Sequence, residues 1–324
     1  MSAPTTVRPP ERGAARPPKR RPPKRGPGRR PERAAERGIL SAFDWRRPRI
    51  LAGWRTMHIV LFAGLIGFGA VPLVWMVRAA VSTTTDLYQR PLSLIPDPAH
   101  WENIAIAWDL LEIGHYLMNT VVLVAGSWIV QLIVSATAGF ALAVIRPWYG
   151  RYVYAAFLVT LFVPSTVTLI ALYLTVLDLP LLGFGITDTP WAVWLPAGAN
   201  AFTILLVKQF FEDIPRDLFE AAQLDGAGWF TIFWRIVLPM SRPILAVVSL
   251  LAIMTAWKDF LWPLIVLTDP TTQPLSVALP RLAQATDPAY LIAGMLIATL
   301  PPILIFLVFQ RSIVRGIGFT GLKG

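Results

Sequence analysis

The side chains able to do chemistry in this chain fall in two places. Lys258 and Asp259 are adjacent charges inside an apolar stretch, flanked by Trp257, Phe260 and Trp262. Asn200 and Gln131 are amides set within other apolar runs. A charge near a membrane core costs on the order of a few kcal/mol unless it is paired or hydrated. Charges of this kind therefore mark either an interface with water or a path for a polar solute, and the amides either face such a path or hydrogen-bond between helices. On a helix, neighbours point about 100° apart, so Lys258 and Asp259 need not pair with each other. Fifteen residues beyond Pro243 carries them about 22 Å along the axis, near one boundary of a bilayer. Two readings stay open for them: snorkelling or an outer-loop contact, and contact with a solute. The second place is the polar segment 208–242, where Glu220, Ala221 and Ala222 are followed by Asp225 and Gly226.

Bond-making chemistry finds no support. With no cysteine in 324 residues, disulfides, thiolate metal sites and thiol nucleophiles are excluded. The three histidines, His58, His100 and His115, form no H-E-x-x-H pair. There is no G-x-x-x-x-G-K-[ST] loop to cradle nucleotide phosphates and no G-x-S-x-G elbow. No catalytic, cofactor or metal residue is expected, and ATP, if used, is used elsewhere.

The elements that position these residues are membrane spans. The chain is 55% hydrophobic, with a mean hydropathy of +0.57, and uncharged apolar runs longer than about 18 residues recur along it, as a bilayer core requires. Six spans are predicted: Met57 to Val77, Leu117 to Val144, Val153 to Leu177, Trp191 to Val207, Pro243 to Val266, and Tyr290 to Phe309. Pro164, Pro196 and the pair Pro301-Pro302 kink their helices, through ordinary bundle irregularity or because the freed carbonyls line a path. Trp101, Trp108, Trp191, Trp194, Trp257 and Trp262 fall near span ends, as an aromatic belt or as packing.

The net charge of +10 belongs to the amino-terminal tail: residues 1–56 hold 16 Lys and Arg against 4 acids, and the rest 13 against 15. Residues 1–50 are rich in Pro, Arg and Gly and bury little, so they read as a disordered cytoplasmic tail that leans on anionic membrane lipid. No aromatics interleave those charges, which argues against nucleic-acid binding. The positive-inside rule places both termini and segment 208–242 in the cytoplasm, in a multi-pass protein of the plasma (inner) membrane. Arg78, at the outer end of the first span, reads as a snorkelling residue.

Segment 208–242 predicts two short helices. Pro215 suits the first turn of one, with Glu212 and Asp213 at its positive end. Its pattern runs to Leu224, and Gly226 suits the stop. A second helix fits Trp229 to Val237, ended by Leu238-Pro239. Glu220-Ala221-Ala222, Gly226 and the later Ile236-x-Leu238-Pro239 resemble the EAA loop of ATP-binding-cassette (ABC) importer membrane subunits. In that family the loop is the coupling helix, which docks in a cleft on an ATPase. Two small residues permit close approach, Glu220 offers charge to a basic partner, and the glycine permits the bend. The stretch 256–266, the ending 310–324 and Asn119-Thr120 are similar to carbohydrate importer permeases, the smaller maltose-type subunit in particular. Where that group usually carries Asn, this chain has Lys258.

The resemblance covers roughly residues 55–324 and implies an all-α integral membrane protein, a permease of type I architecture with six transmembrane helices over residues 51–324. It implies docking through Glu220, Ala221, Ala222, Asp225 and Gly226; Asn200, Trp257, Lys258 and Asp259 are, from their residue types alone, the candidates for a transport path. Implied partners are a second permease subunit in a heterodimer, an ABC ATPase dimer and an extracytoplasmic sugar-binding protein. The expected function is sugar import by alternating access driven by the separate ATPase. A glycerol phosphate or polyamine importer of the same architecture is the alternative. An ion-coupled transporter would need intramembrane carboxylates that this chain largely lacks, and a membrane-bound enzyme would need a nucleophile–base set.

Overall fold

The computed structural model describes the backbone of residues 48–180 and 182–318, and side chains within 52–310. The expected tail over residues 1–50 falls almost wholly outside the described residues, as does the end of the sugar-permease-like carboxyl terminus. Residues 1–67 and 68–324 are two separate units. In the first, the described part is the opening of helix α1 (Pro48–Ala80), where His58 Nδ1 lies 2.8 Å from the Trp54 carbonyl. The remainder of α1 begins the second unit.

All regular structure among the described residues is helical. After α1 come α2 (Thr84–Gln89), α3 (Glu102–Leu110) and the long α4 (Ile113–Phe140), which continues through a π turn at Ala141–Ile145. Then follow α5 (Gly150–Thr160), α6 (Ser165–Leu177), α7 (Trp191–Gly198), α8 (Ala201–Glu212) and α9 (Arg216–Leu224). Next, α10 (Trp229–Ile232) runs through a second π turn, Phe233–Val237, into α11 (Leu238–Met240). The chain ends with α12 (Arg242–Lys258), α13 (Leu261–Val266), α14 (Leu275–Leu282) and α15 (Pro288–Gly318).

Three helices are long and apolar enough to cross a bilayer unaided, within Ala52–Ala80, Ile113–Ile145 and Pro288–Gln310. Three bent pairs raise the number to as many as six: α5 with α6 at 113°, α7 with α8 at 43°, and α10–α11 with α12 at 78°. The third predicted span, Val153 to Leu177, is thus two helices. Pro164 cannot donate a backbone hydrogen bond and stands at the break with ψ 133°, so the helix restarts at Ser165. The fifth, Pro243 to Val266, also divides. Helix α12 stops at Lys258, and Asp259 is extended at φ −67°, ψ 122°, so the 100° separation expected on one helix does not apply there.

Helix α4 is the central post, packed by α7, α8 and α12, while α12 also meets α15. Its face toward α7 is tight, with Trp194 lying against Gly126 and donating its indole N–H to the Leu123 carbonyl at 3.1 Å. At one end, Leu111, Ile113, Tyr116, Leu275 and Leu279 form a core that ties α4 to α3, α14 and α15. Here Asn119 donates to the Thr271 and Gln273 carbonyls at 2.7 and 3.1 Å, and Thr120 accepts from the Leu275 N–H at 2.9 Å. The Asn119-Thr120 pair singled out in the sequence therefore stitches α4 to the loop before α14.

Near the same end Arg78 is buried rather than snorkelling. Its Nη2 lies 2.5 Å from Asp86 Oδ2, with both side chains only 2% exposed. Asp86 Oδ1 lies 3.0 Å from Arg90 Nε. Burial of that carboxylate on α2 provides an anchor that draws the guanidinium inward.

A second polar clamp joins the loop before α7 to the loop after α13. The Asp188 carboxylate accepts from the Thr268 N–H at 2.5 Å, the Asp269 N–H at 2.9 Å and the Thr268 hydroxyl at 2.8 Å. Those donors hold its pKa below the ordinary carboxylate value, the Asp269 amide having the largest effect. A carboxylate depressed in this way contributes stability above its unfolded pKa of about 3.9 and loses it as pH falls through the folded value. Asn tolerates the left-handed backbone found there, φ 58°, so Asp188→Asn removes charge without backbone strain. The thermal midpoint of Asp188→Asn is expected to lie below wild type by a constant margin from pH 6 to 8. That margin should close below about pH 4; a margin unchanged at low pH would exclude the clamp.

Candidate functional site

Helix α9 carries the residues that the sequence singles out for docking. Pro215 stands just before it, at φ −56°, ψ 130°, as the residue ahead of the first turn rather than within it. Glu212 does not serve the start of α9 as expected. It ends α8, 2.8 Å from Lys208 Nζ and 3.6 Å from Arg146 Nη2; Asp217 is the acid in the first turn. At the other end the Ala227 N–H bonds the Ala222 carbonyl at 2.9 Å and the Gly226 N–H bonds that of Gln223 at 3.0 Å. With Gly226 at φ 80°, this paired closure is the Schellman stop, and only glycine adopts that φ at little cost.

The helix has two distinct faces. Phe219 is buried with Phe140, Phe211, Ile214, Ile232, Val237 and Val248, which come from α4, α8, the loop after α8, the α10–α11 segment and α12. Glu220, Ala221, Asp225 and Gly226 are exposed and Ala222 is half-buried. Leu224, at 90%, is among the most exposed apolar side chains. One face is thus keyed into the spans, and the other presents a carboxylate, a methyl and a leucine to whatever lies outside.

The second predicted helix of the loop does not end at Leu238-Pro239. It continues to Met240 through the π turn, with the Leu238 N–H bonding the Phe233 carbonyl. A widened turn accommodates Pro239, whose ring would crowd the carbonyl four residues back in a regular helix.

The polar residues of the spans meet in a cavity of about 500 Å³ between α4, α6, α7 and α12. Asn200, Gln131 and Asp259 all line it. Asn200 also caps α8, accepting the Thr203 N–H at 3.0 Å. Gln131 donates to the Thr203 hydroxyl at 3.2 Å, linking α4 to α8. Trp257 and Lys258 are not on the wall, and Lys258 is exposed at the end of α12. Trp262, read from sequence as belt or packing, is buried against the cavity and donates to the Ala192 carbonyl at 3.0 Å.

Hydroxyls of Ser127, Ser165, Thr168 and Thr255 complete the polar lining; sequence reasoning missed them. The signal was periodic. Ser127 and Gln131 stand four apart on one face of α4, and Ala252, Thr255 and Ala256 follow the spacing of one face of α12, with Asp259 just past its end. Among the described residues no group of three or more metal-binding side chains occurs.

A helical membrane body, an exposed short helix keyed into it and a polar internal cavity together describe a transport subunit. The chain belongs to the family of binding-protein-dependent transport system inner membrane components, whose pattern matches residues 135–318. It is an ABC importer permease. It is 33% identical over 285 residues to the probable ABC transporter permease protein YurM of Bacillus subtilis, covering 87% of this chain and 92% of that one. LacG of Rhizobium radiobacter, a lactose transport system permease protein, is 31% identical, with 76% and 88% covered. UgpE of Yersinia pestis, an sn-glycerol-3-phosphate transport system permease protein, is 30% identical, with 80% and 94% covered. The fold matches a chain of a bacterial ABC transporter involved in the import of the acidic polysaccharide alginate. That match has a TM-score of 0.70 and 23% identity, and covers 84% of this chain and 98% of the other.

Proposed function

We propose that this chain forms one half of the membrane pathway of an importer for a neutral sugar, driven by a separate ATPase that engages α9. The observation that carries the reading is the division of α9 between Phe219, buried among residues of α4, α8 and α12, and the exposed Glu220 and Ala221. A force applied to that exposed face is delivered to three spans at once, because close-packed cores move as units. ATP-driven closure of the ATPase pair would then rock the spans and change which side the cavity opens to. In this reading the chain is not itself an enzyme. Its termini and α9 are cytoplasmic, a related permease completes the pathway, and a binding protein delivers the solute from outside. Residues 51–324 form the permease body and 208–242 its coupling loop.

The cavity lining supports a neutral polyhydroxylated solute. Its polar groups are hydroxyls, two amides and the Asp259 carboxylate, with no Lys or Arg among them. A glycerol phosphate, the second reading supported by the likeness to UgpE, would meet a carboxylate and no cation there, which is unfavourable. A polyamine, with several charges, would meet a single carboxylate.

In the assembled transporter, Glu220→Lys is expected to reduce ATP-driven uptake at least about tenfold while the chain remains inserted and folded. Loss of ATPase copurification in the same variant would place the defect in docking. Full uptake with intact assembly would overturn the role of α9. Calorimetric titration of the cognate binding protein with lactose and with glycerol 3-phosphate separates the two solute readings.

A further inference from the structure

A cleft of about 310 Å³ between the end of α4, the start of α5 and α8 has no part in the pathway described above. Three cations line it, Arg146, Arg151 and Lys208, against the single carboxylate of Glu212. Lys208, whose side chain is only 14% exposed, lies 2.8 Å from Glu212, with its Nζ 4.4 Å from the Tyr154 ring centroid. Those contacts fix its ammonium in place. Arg146 is held by a bond from its Nε to the Ala143 carbonyl at 2.8 Å, and its Nη2 lies 3.6 Å from Glu212. Arg151 has a single hydrogen-bond partner among the described residues, the Tyr152 hydroxyl at 2.7 Å. Most of its planar donor fork therefore stays available to an oxyanion. Helix α5, 11 residues long, starts at Gly150 on the wall and adds the positive end of its dipole.

The setting points to a bilayer surface. Trp148 is 83% exposed, and Tyr149 and Tyr152 are exposed beside it, at the end of the apolar span formed by α4. Exposed Trp and Tyr at the end of a span mark headgroup depth. Basic pockets between spans at that depth hold acidic lipid headgroups.

We infer that this cleft is a binding site for the phosphate of an anionic phospholipid, held by Arg151 with Arg146 and Lys208. Free phosphate shares that chemistry and is separated from lipid by the test.

The full chain, purified with its assembled partners in mild detergent, is titrated with phosphatidylglycerol or phosphatidylcholine. Retained lipid is counted by native mass spectrometry. The basic tail contributes a background common to every variant, so differences between variants report the cleft. Wild type is expected to retain phosphatidylglycerol at least about tenfold over phosphatidylcholine, with Arg151→Gln and Arg146→Gln each cutting that preference several-fold. Arg151→Lys, which keeps the charge, should preserve most of it and guards against a folding defect. Equal retention of the two lipids, or an unchanged preference in both Gln variants, overturns the site. Displacement of the lipid by millimolar inorganic phosphate would assign the cleft to the free ion and overturn the lipid reading.

Discussion

Asp86→Ala is expected to cost about 3–5 kcal/mol of folding stability, the range for breaking one side of a buried ion pair. For a unit of this size that lowers the thermal midpoint by roughly 10 °C. The reason lies in what remains. Arg78 is buried at 3% exposure, and its Nε and Nη1 have no hydrogen-bond partner among the described residues. Its Nη2 depends on Asp86, with a longer bond of 3.3 Å to the Arg90 carbonyl. Without the carboxylate, an ionised guanidinium stays enclosed and unneutralised. Arg78→Met is the asymmetric control. It removes the unpaired donors together with the charge, and leaves Asp86 its contact with Arg90. Its cost should be much smaller, and Arg78→Met combined with Asp86→Leu should recover most of the loss. Equal losses in the two single variants, read by thermal melting in detergent, would rule out an enclosed charge as the cause.

Gly126→Ala should also be damaging, through sterics alone. A Cβ built there falls 2.0 Å from Trp194 Cε2 and 2.2 Å from its Nε1, far inside van der Waals contact. The indole cannot swing aside freely, because its N–H bonds the Leu123 carbonyl and its ring packs against Trp191, with centroids 5.0 Å apart. Helix α7 must therefore move off α4, opening the wall on which Val193, Pro196 and Asn200 stand. Overpacking of this kind costs about 1–3 kcal/mol where neighbours yield, and here a rigid ring is the neighbour. A fall of several degrees in the thermal midpoint is expected. Trp194→Val in the same chain should restore much of it, since the smaller side chain vacates the site of the new methyl. If the second substitution instead deepens the loss, the close approach of α4 and α7 is not its origin.

Much of the candidate surface could be read from residue order because it depends on local chemistry. Gly226 ends α9 through bonds made within six residues, and Glu220-Ala221 lies on an amphipathic turn that names its own exposed side. Asn200 and Asp259 stood out because polar groups are rare in apolar runs, and both reach the same cavity. What was illegible depends on partners distant in sequence. Nothing near Trp262 announces that its indole bonds the Ala192 carbonyl, 70 residues away. Arg78 looked like a snorkelling residue because its partner lies on α2, beyond the break that follows α1. Glu212 pairs most closely with Lys208, four residues back on its own helix, a local contact that residue order does offer; only its second partner, Arg146 at the end of α4, was out of sight. Proline signalled a break at Pro164, but not its magnitude, a turn of 113°.

The two π turns, Ala141–Ile145 and Phe233–Val237, both contribute to the apolar core that holds α9, through Ala143 and Val237. Each accommodates about one surplus residue, which advances the angular phase of everything after it by about 100° relative to an uninterrupted α-helix. The membrane segments and the short helices beside them consequently keep separate rotational registers. Arg146, left-handed at φ 52°, follows the first such slip, and Pro239 follows the second within its helix.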